Sequence, residues 1–299
     1  MNGASHGDAR FFVFGAGYSA SAFLEGLEPA RIEGATTRSA EKAAGFARHG
    51  WPGFVFDGEE PGEGIAQALA RTTHLVVSIA PGERGDPVLR CYRETILHAM
   101  PRLAWIGYLS TVGVYGDHGG AWVDETTPPR PVSRRSRERL EAEEAWTALA
   151  EARGMPLAIL RLSGIYGPGR NSFVNLRTGR AKRLVKPGQV FNRIHVADIA
   201  GVLRLLSERC LGGTFNVTDD EPAPPQDVVL HAARMIDVEP PPEQDFETAE
   251  LTPMARSFYG ENKKVSNRRI RSLGYEFFFP TFREGLAALM PCDRGDRGL

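Results

Sequence analysis

Cysteine is scarce. Only Cys91, Cys210 and Cys292 occur, far apart, with no CxxC pair and no His, Cys or carboxylate spacing of a metal site. That argues against a disulfide framework or a metal centre and points to reduced thiols in a reducing compartment. An apolar leader is missing too, because residues 1–10 are polar, so no signal peptide is expected. No uncharged apolar run approaches the ~20 residues that span a bilayer. These absences lead us to expect a cytoplasmic protein without a membrane partner. Charge of one sign is also lacking: 36 Lys and Arg against 37 Asp and Glu give a net charge of -1. There is no global attraction to nucleic acid, and any electrostatic recognition must be local. No repeat or low-complexity tract appears. What remains is an ordinary globular composition, 42% hydrophobic and 24% charged over 299 residues. That length holds one large α/β domain or a domain plus a smaller lobe.

Short apolar runs alternate with helical stretches. Phe11-Phe12-Val13-Phe14 has the look of a buried parallel strand stopping at Gly15, and a helix follows with Phe23, Leu24 and Leu27 on one face. Strands are then expected at 32–37, 54–56, 75–79, 103–109 and 157–162, with helices at 39–48, 65–70, 88–100 and 134–153 between them. The last helix ends at Gly154, a good stop. This rhythm calls for a Rossmann-type, doubly wound parallel sheet in residues 10–169. After Gly164 the rhythm breaks. The stretch 171–191 is basic and irregular, and prolines interrupt the chain at 222–225 and 240–242. Residues 170–292 therefore read as a smaller C-terminal substrate lobe, with elements near 195–218 returning to the sheet.

Gly15-Ala16-Gly17-Tyr18-Ser19-Ala20 fits G-x-G-x-x-G/A between a strand and a helix. The first glycine makes the tight turn, and the second lets backbone approach a pyrophosphate. The small Ala20 packs helix on strand, and the helix start offers N–H donors to the anion. Where an NAD site usually places an acid on the ribose, this chain has Thr37, Arg38 and Ser39, with Lys42 one turn on. A guanidinium and hydroxyls suit a 2′-phosphate, which favours NADP over the alternative NAD. Asp57 could accept from the adenine amino group or cap the next helix. Ser78 and Ala80, where the fourth strand ends, complete the expected cofactor set.

Four further segments resemble the extended short-chain dehydrogenase/reductase family, the NAD-dependent epimerase/dehydratases. Residues 109–116, LSTVGVYG, are similar to its S-[ST]-x-x-V-Y-G segment, and 161–169, RLSGIYGPG, to its R-x-x-x-[VI]-Y-G-P-G motif. Residues 193–200, RIHVADIA, resemble its HV-x-D-[VI]-A motif, and Phe215-Asn216-Val217 its [YF]-N-[VI]. Asp124 to Pro128 resembles the family's acidic loop, and 262–285 the tail of an atypical subgroup. The ordered set covers about residues 11 to 218. It implies the Rossmann fold, a nicotinamide cofactor and oxidoreductase or epimerase/dehydratase chemistry.

The departure lies in catalysis. The family's Tyr-x-x-x-Lys pair is replaced by Ser133 and Arg137, with Glu141 one turn on, and no tyrosine stands between Tyr115 and Tyr166. A serine without an adjacent base is a far poorer acid than a phenol. Arg137 can hold a ribose but exchanges no proton at neutral pH. Thr111 takes the family's Ser/Thr position, either polarising a substrate oxygen or bonded to backbone. Tyr115 is the nearest phenol, a substitute acid or a packing group. His195 reads as a proton exchanger or an orienting group, and Asp198 as a first-turn helix carboxylate. Tyr259 and Lys263 spell Y-x-x-x-K by chance in the tail.

From Arg170 to His195 run seven Lys and Arg residues and no carboxylate, a field for an anion such as a nucleotide-sugar diphosphate or simply a solvated face. Arg170, Asn171 and Arg193 are its candidate substrate residues. The patch lacks the interleaved aromatics of a nucleic-acid surface. Two functions therefore stand: an NADP-dependent enzyme on a small anionic substrate, monomeric or a homodimer, or a non-catalytic NADP(H)-binding sensor or scaffold.

Overall fold

The computed structural model describes residues 9–252, 256 and 258–294. Its first half alternates β1 (Phe11–Phe14), α1 (Tyr18–Glu25), β2 (Ile32–Thr37), α2 (Ala40–Gly45), β3 (Gly53–Val55), α3 (Ile65–Arg71), β4 (His74–Val77), α4 (Pro87–His98) and β5 (Trp105–Thr111). A two-residue strand β6 (Trp122–Val123) precedes the long α5 (Arg134–Arg153) and β7 (Leu157–Leu162). Then come β8 (Gly164–Tyr166), α6 (Ser172–Arg177), β9 (Arg183–Val185), β10 (Arg193–His195), α7 (Val196–Glu208) and β11 (Gly213–Val217). The tail holds α8 (Pro225–Met235), β12 (Glu243–Asp245), β13 (Lys264–Val265), α9 (Arg268–Ser272) and α10 (Phe282–Arg294).

Seven strands form one sheet in the order β11-β7-β5-β4-β1-β2-β3. The recorded pairs are parallel, with Phe11 to Phe14 of β1 against His74 to Val77 of β4. This is the doubly wound Rossmann-like α/β fold. All four residues of β1 and all six of β7 are buried, as a sheet covered on both faces favours near-continuous apolar runs; Arg161 is the one charged residue among them. Helix α5 turns Ala142, Trp146, Leu149 and Ala150 inward at helical spacing. The Trp146 indole N–H donates to Asp86 Oδ2 at 3.1 Å, while Asp86 Oδ1 caps α4 at Val88 N and Leu89 N.

The chain divides into two compact units. One comprises the described residues up to Thr111 together with Arg134–Arg161 and Ile199–Phe215; the other is Val112–Ser133, Leu162–Asp198 and the described residues from Asn216 on. The second unit is built of two-stranded ribbons, β8 with β10, β9 with β12 and β6 with β13. Its main apolar cluster gathers Tyr166, Phe173, Val228, Ala232, Phe282, Leu286 and Leu289.

Several boundaries differ from the sequence expectation: β3 is Gly53–Val55 rather than 54–56, β4 His74–Val77 rather than 75–79, α2 Ala40–Gly45 rather than 39–48 and α4 Pro87–His98 rather than 88–100. The fifth strand runs Trp105–Thr111 rather than 103–109, because its two terminal hydroxyl residues continue the extended chain. The stretch 171–191 is not irregular throughout: Asn171 Oδ1 accepts from Val174 N at 3.1 Å and caps the short α6.

Candidate cofactor and substrate sites

In the first unit the glycine turn sits between β1 and α1. Gly15 has φ +87°, and a Cβ there would come within 2.7 Å of Ile79 Cγ1, so both its conformation and its surroundings demand glycine. Gly15 N donates to Thr36 Oγ1 at 2.8 Å and Ala16 N to Thr36 O at 2.8 Å. Thr36 is fully buried, and its role in fixing the turn carried no separate signal in the sequence. The Lys42 ammonium donates to Ala16 O at 2.8 Å and holds the turn from the other side.

Gly17 is open: a Cβ there would meet only Gly15 O, at 4.0 Å. It caps α1 without a side-chain bond, and the first turn of α1 contains no acid. An uncapped, acid-free helix start beside an open glycine fits a dinucleotide pyrophosphate. Tyr18, Ser19 and Ala20 form the first turn of α1, with Ser19 and Ala20 buried.

Thr37 ends β2, and the Ser39 hydroxyl caps α2 by accepting from Lys42 N at 3.2 Å. Arg38 between them is exposed and makes no ion pair or side-chain hydrogen bond among the described residues. Asp57 is exposed, and one of its oxygens accepts from Glu59 N at 2.9 Å, a local turn bond. Ser78 N donates to Phe14 O at 2.9 Å, which keeps the end of β4 in step with the start of the turn, and Ala80 follows exposed.

Thr111 is the last residue of β5, partly buried, and Arg137 is exposed on α5. Glu141, the carboxylate singled out on that helix, is exposed. The buried one is Glu143, which sequence reasoning missed. It takes hydrogen bonds from Arg161 Nη2 at 2.7 Å and Nε at 3.2 Å, and from the Ser110 hydroxyl. Glu143 and Arg161 are 3% and 6% exposed, so two of the motif segments meet at one buried ion pair. Three oxygen–donor contacts compensate the carboxylate for lost water.

In the second unit Tyr115 is wholly buried with Val123 and Val265, and its hydroxyl donates to Asn216 Oδ1 at 2.8 Å. That commits the phenol to an amide oxygen. Asn216 is held in turn, its N–H donating to Glu125 Oε1 at 2.7 Å. Ser133, partly buried, immediately precedes α5. His195 is buried between the rings of Tyr166 and Phe279, and burial lowers its imidazole from 6.5 to about 4. Its Nδ1 accepts from Ala197 N at 3.2 Å, an orienting bond at the start of α7.

Asp198 does more than favour a helix start. It accepts from Tyr275 OH at 3.0 Å, Phe278 N at 2.7 Å and Phe279 N at 3.2 Å, and so ties down the tail. Burial pushes its carboxyl above the usual range. The Tyr259 ring stacks on Phe246, while the Lys263 ammonium donates to Gly116 O at 2.8 Å and pairs with Glu261; each is engaged in structure separately.

Much of the basic stretch is spent on the protein itself. Arg193 Nη1 donates to Phe191 O at 2.9 Å and Ala223 O at 3.2 Å, and burial lowers its guanidinium pKa. Arg183 pairs with Glu243 at 2.6 Å, and the ammonium groups of Lys182 and Lys186 donate to the carbonyls of Glu250 and Tyr259. Asn171 uses both ends of its amide, as the cap of α6 and as donor to Gly167 O at 3.0 Å. Of the three expected substrate residues only Arg170 is exposed. Four of the seven cations are thus internal fasteners, because a cation near unpaired carbonyls finds them before any ligand does.

The sequence model of the NAD dependent epimerase/dehydratase family matches residues 92–217. Protein YeeZ of Escherichia coli (strain K12) is 31% identical over 228 residues, 71% of this chain and 74% of that protein. A 3-diazoavenalumate denitrifying reductase of Streptomyces sp is 26% identical over 240 residues, 76% of this chain and 74% of the relative. The structure of a functionally unknown conserved protein from Silicibacter pomeroyi DSS has a TM-score of 0.86 at 44% identity, over 96% of this chain and 99% of that one. Structures sharing the fold at 18% and 20% identity, with TM-scores of 0.68 and 0.73, were solved with NADPH and with NAD respectively. The chain belongs to the NAD dependent epimerase/dehydratase family, extended short-chain dehydrogenases/reductases that bind a nicotinamide dinucleotide.

Proposed function

We propose that this protein is an NADP-dependent reductase of the family, acting on a small anionic substrate in the cytoplasm. The observation that carries the cofactor choice is Arg38. It is an exposed guanidinium with no protein partner among the described residues, at the strand end where an acid would select NAD. The tight turn at Gly15 and the open Gly17, with the uncapped start of α1, hold the pyrophosphate, and Arg38 with Ser39 holds the 2′-phosphate. When bound, the cofactor supplies or accepts the hydride.

Thr111 polarises the reacting group, and Arg137 steadies the ribose without moving a proton. Tyr115, buried and bonded to Asn216, is not the acid, which leaves the Ser133 hydroxyl or water for any proton the reaction needs. Such a site suits a substrate that loses its leaving group as hydride arrives. A bond to carbon forms, the bond to the leaving group breaks, the leaving group keeps the electron pair, and no protein proton is required. The Streptomyces relative is named a 3-diazoavenalumate denitrifying reductase, and a diazo group, which can leave as dinitrogen, is a leaving group of that kind. Arg170 is the exposed cation proposed for the substrate's anion, a nucleotide sugar's diphosphate being one candidate group.

The test is a fluorescence titration with NADPH and NADH side by side, followed by single turnover against a panel of nucleotide sugars, small ketones and diazo acids. Arg38→Ala is expected to weaken NADPH roughly tenfold to a hundredfold and leave NADH nearly unchanged. A wild-type preference for NADH overturns the role of Arg38. Tight NADPH binding with no turnover across the panel supports the second reading, a non-catalytic NADP(H) sensor, which the missing Tyr-x-x-x-Lys pair favours.

A further inference from the structure

The second unit contains a cavity of about 600 Å³ between the β6–β13 ribbon, the acidic loop after β6 and the start of α9. That size falls within the roughly 300–1,000 Å³ of small-molecule sites. Its floor is apolar, from the buried Val123 and Val265, and Trp122 stands at its wall with 60% of its surface exposed.

The charges around it can be sorted into spent and unspent. The Asp124 carboxylate accepts from the Thr126 N–H at 2.9 Å and from the hydroxyls of Thr126 and Thr127. Glu125 accepts from Asn216 N and is drawn towards Arg269, although burial pushes its carboxyl up. Asp220 pairs with Arg271 and accepts from Asn267 Nδ2 at 2.7 Å. Burial pushes the Asp219 carboxyl up to about 8, and its buried Oδ2 accepts no hydrogen bond among the described residues. The remaining cation, Arg268, is exposed, and its guanidinium has no partner among the described residues. The recognition groups left over are therefore an indole face, the unpartnered Asp219 carboxyl oxygen and a guanidinium.

We propose that this cavity binds a flat aromatic ring carrying an anionic group, the ring against Trp122 and the anion at Arg268. Stacking on an indole accepts any flat ring, and a guanidinium grips phosphate or carboxylate through paired donors. A mononucleotide and a free aromatic acid share that chemistry. The site rests on second-unit residues alone and does not depend on the cofactor assignment.

Of the four tryptophans Trp122 is the exposed one, since Trp51, Trp105 and Trp146 are buried. Quenching of its fluorescence therefore reads this cavity. The full-length protein, saturated with NADP+ to fill the cofactor turn, is titrated with AMP, UMP, benzoate and inorganic phosphate. Saturable quenching by AMP and UMP alone identifies the nucleotide source, and saturation by benzoate as well identifies aromatic acids in general. Arg268→Gln is expected to weaken binding roughly tenfold, the loss of one charge-assisted contact. Trp122→Leu, followed by equilibrium dialysis with labelled AMP, is expected to remove binding while NADPH affinity stays unchanged. Both side chains are exposed, so neither change threatens folding. No saturable binding by any ring-bearing anion, phosphate binding as well as AMP, or undiminished binding in both variants overturns the proposal.

Discussion

Acid should weaken this fold in part through a single imidazole in the sheet. His74 opens β4 with its ring against Phe11, 5.0 Å between centroids, and near Trp105. Its Nε2 lies 3.1 Å from Ser207 O, a carbonyl that can only accept, so this nitrogen carries the proton and Nδ1 accepts from the Thr73 hydroxyl at 2.7 Å. A second proton would displace that hydroxyl bond inside an apolar layer. Burial accordingly lowers His74 from 6.5 to about 4. The sign follows directly. Between those values the unfolded chain takes up a proton that the folded chain refuses, so stability is present above about pH 6.5 and lost as pH falls towards 4. Full loss corresponds to ~3 kcal/mol, of which about 2 kcal/mol is gone by pH 4.5. Urea unfolding of wild type and His74→Gln at pH 7 and pH 4.5 measures it. Glutamine can still donate to Ser207 O but cannot titrate, so the drop between the two pH values should be about 2 kcal/mol smaller in the variant. Asp86, Asp198 and Asp219, raised by burial, act in the opposite sense, and the difference between the two proteins cancels them. An identical drop in both proteins would refute the reasoning.

Three other substitutions probe separate features. Glu143→Ala leaves Arg161 buried without its carboxylate and should cost about 3–5 kcal/mol in urea titrations, whereas an effect under ~1 kcal/mol would mean water reaches the guanidinium. Gly15→Val forces a branched side chain to φ +87° against Ile79; loss of NADPH binding is expected, with a stability penalty of about 1–3 kcal/mol or more by calorimetry. Asp198→Ala strands two backbone N–H groups and leaves the Tyr275 hydroxyl only its weaker bond to the carbonyl of residue 198 among those described, so proteolysis near residues 275–279 should accelerate, and an unchanged digestion pattern would count against its tethering role.

The regular elements were legible where the physics is local. Strand β1 is an uninterrupted apolar run and β7 an apolar run broken only by Arg161, ending at a glycine turn and a polar residue, and their limits match the sequence reading. Helix α5 was equally plain from its composition and from the stop at Gly154. The glycine turn could be placed because its three special positions are adjacent in the chain. What holds that turn was less visible: Thr36 and Lys42 act through one hydroxyl and one ammonium aimed across space. Glu143 was passed over for Glu141 because two carboxylates on one helix differ only in the face they occupy. The basic stretch read as a field for ligands, since a sequence shows the cations but not the carbonyls of Phe191, Ala223 and Glu250 that engage them. The ribbon of Trp122 with Lys264 joins residues so distant in the chain that no periodicity connects them.

The two compact units interleave along the chain, which changes unit after Thr111, Ser133, Arg161, Asp198 and Phe215. No single cut in the gene can therefore yield either unit as a whole polypeptide. A fragment ending at Gly169 would lack β11, the edge strand beside β7, and would leave that strand's hydrogen-bonding groups bare. For this protein the inheritable module is the entire chain: recombination that exchanges one unit for another family member's must carry at least three separate pieces of sequence at once.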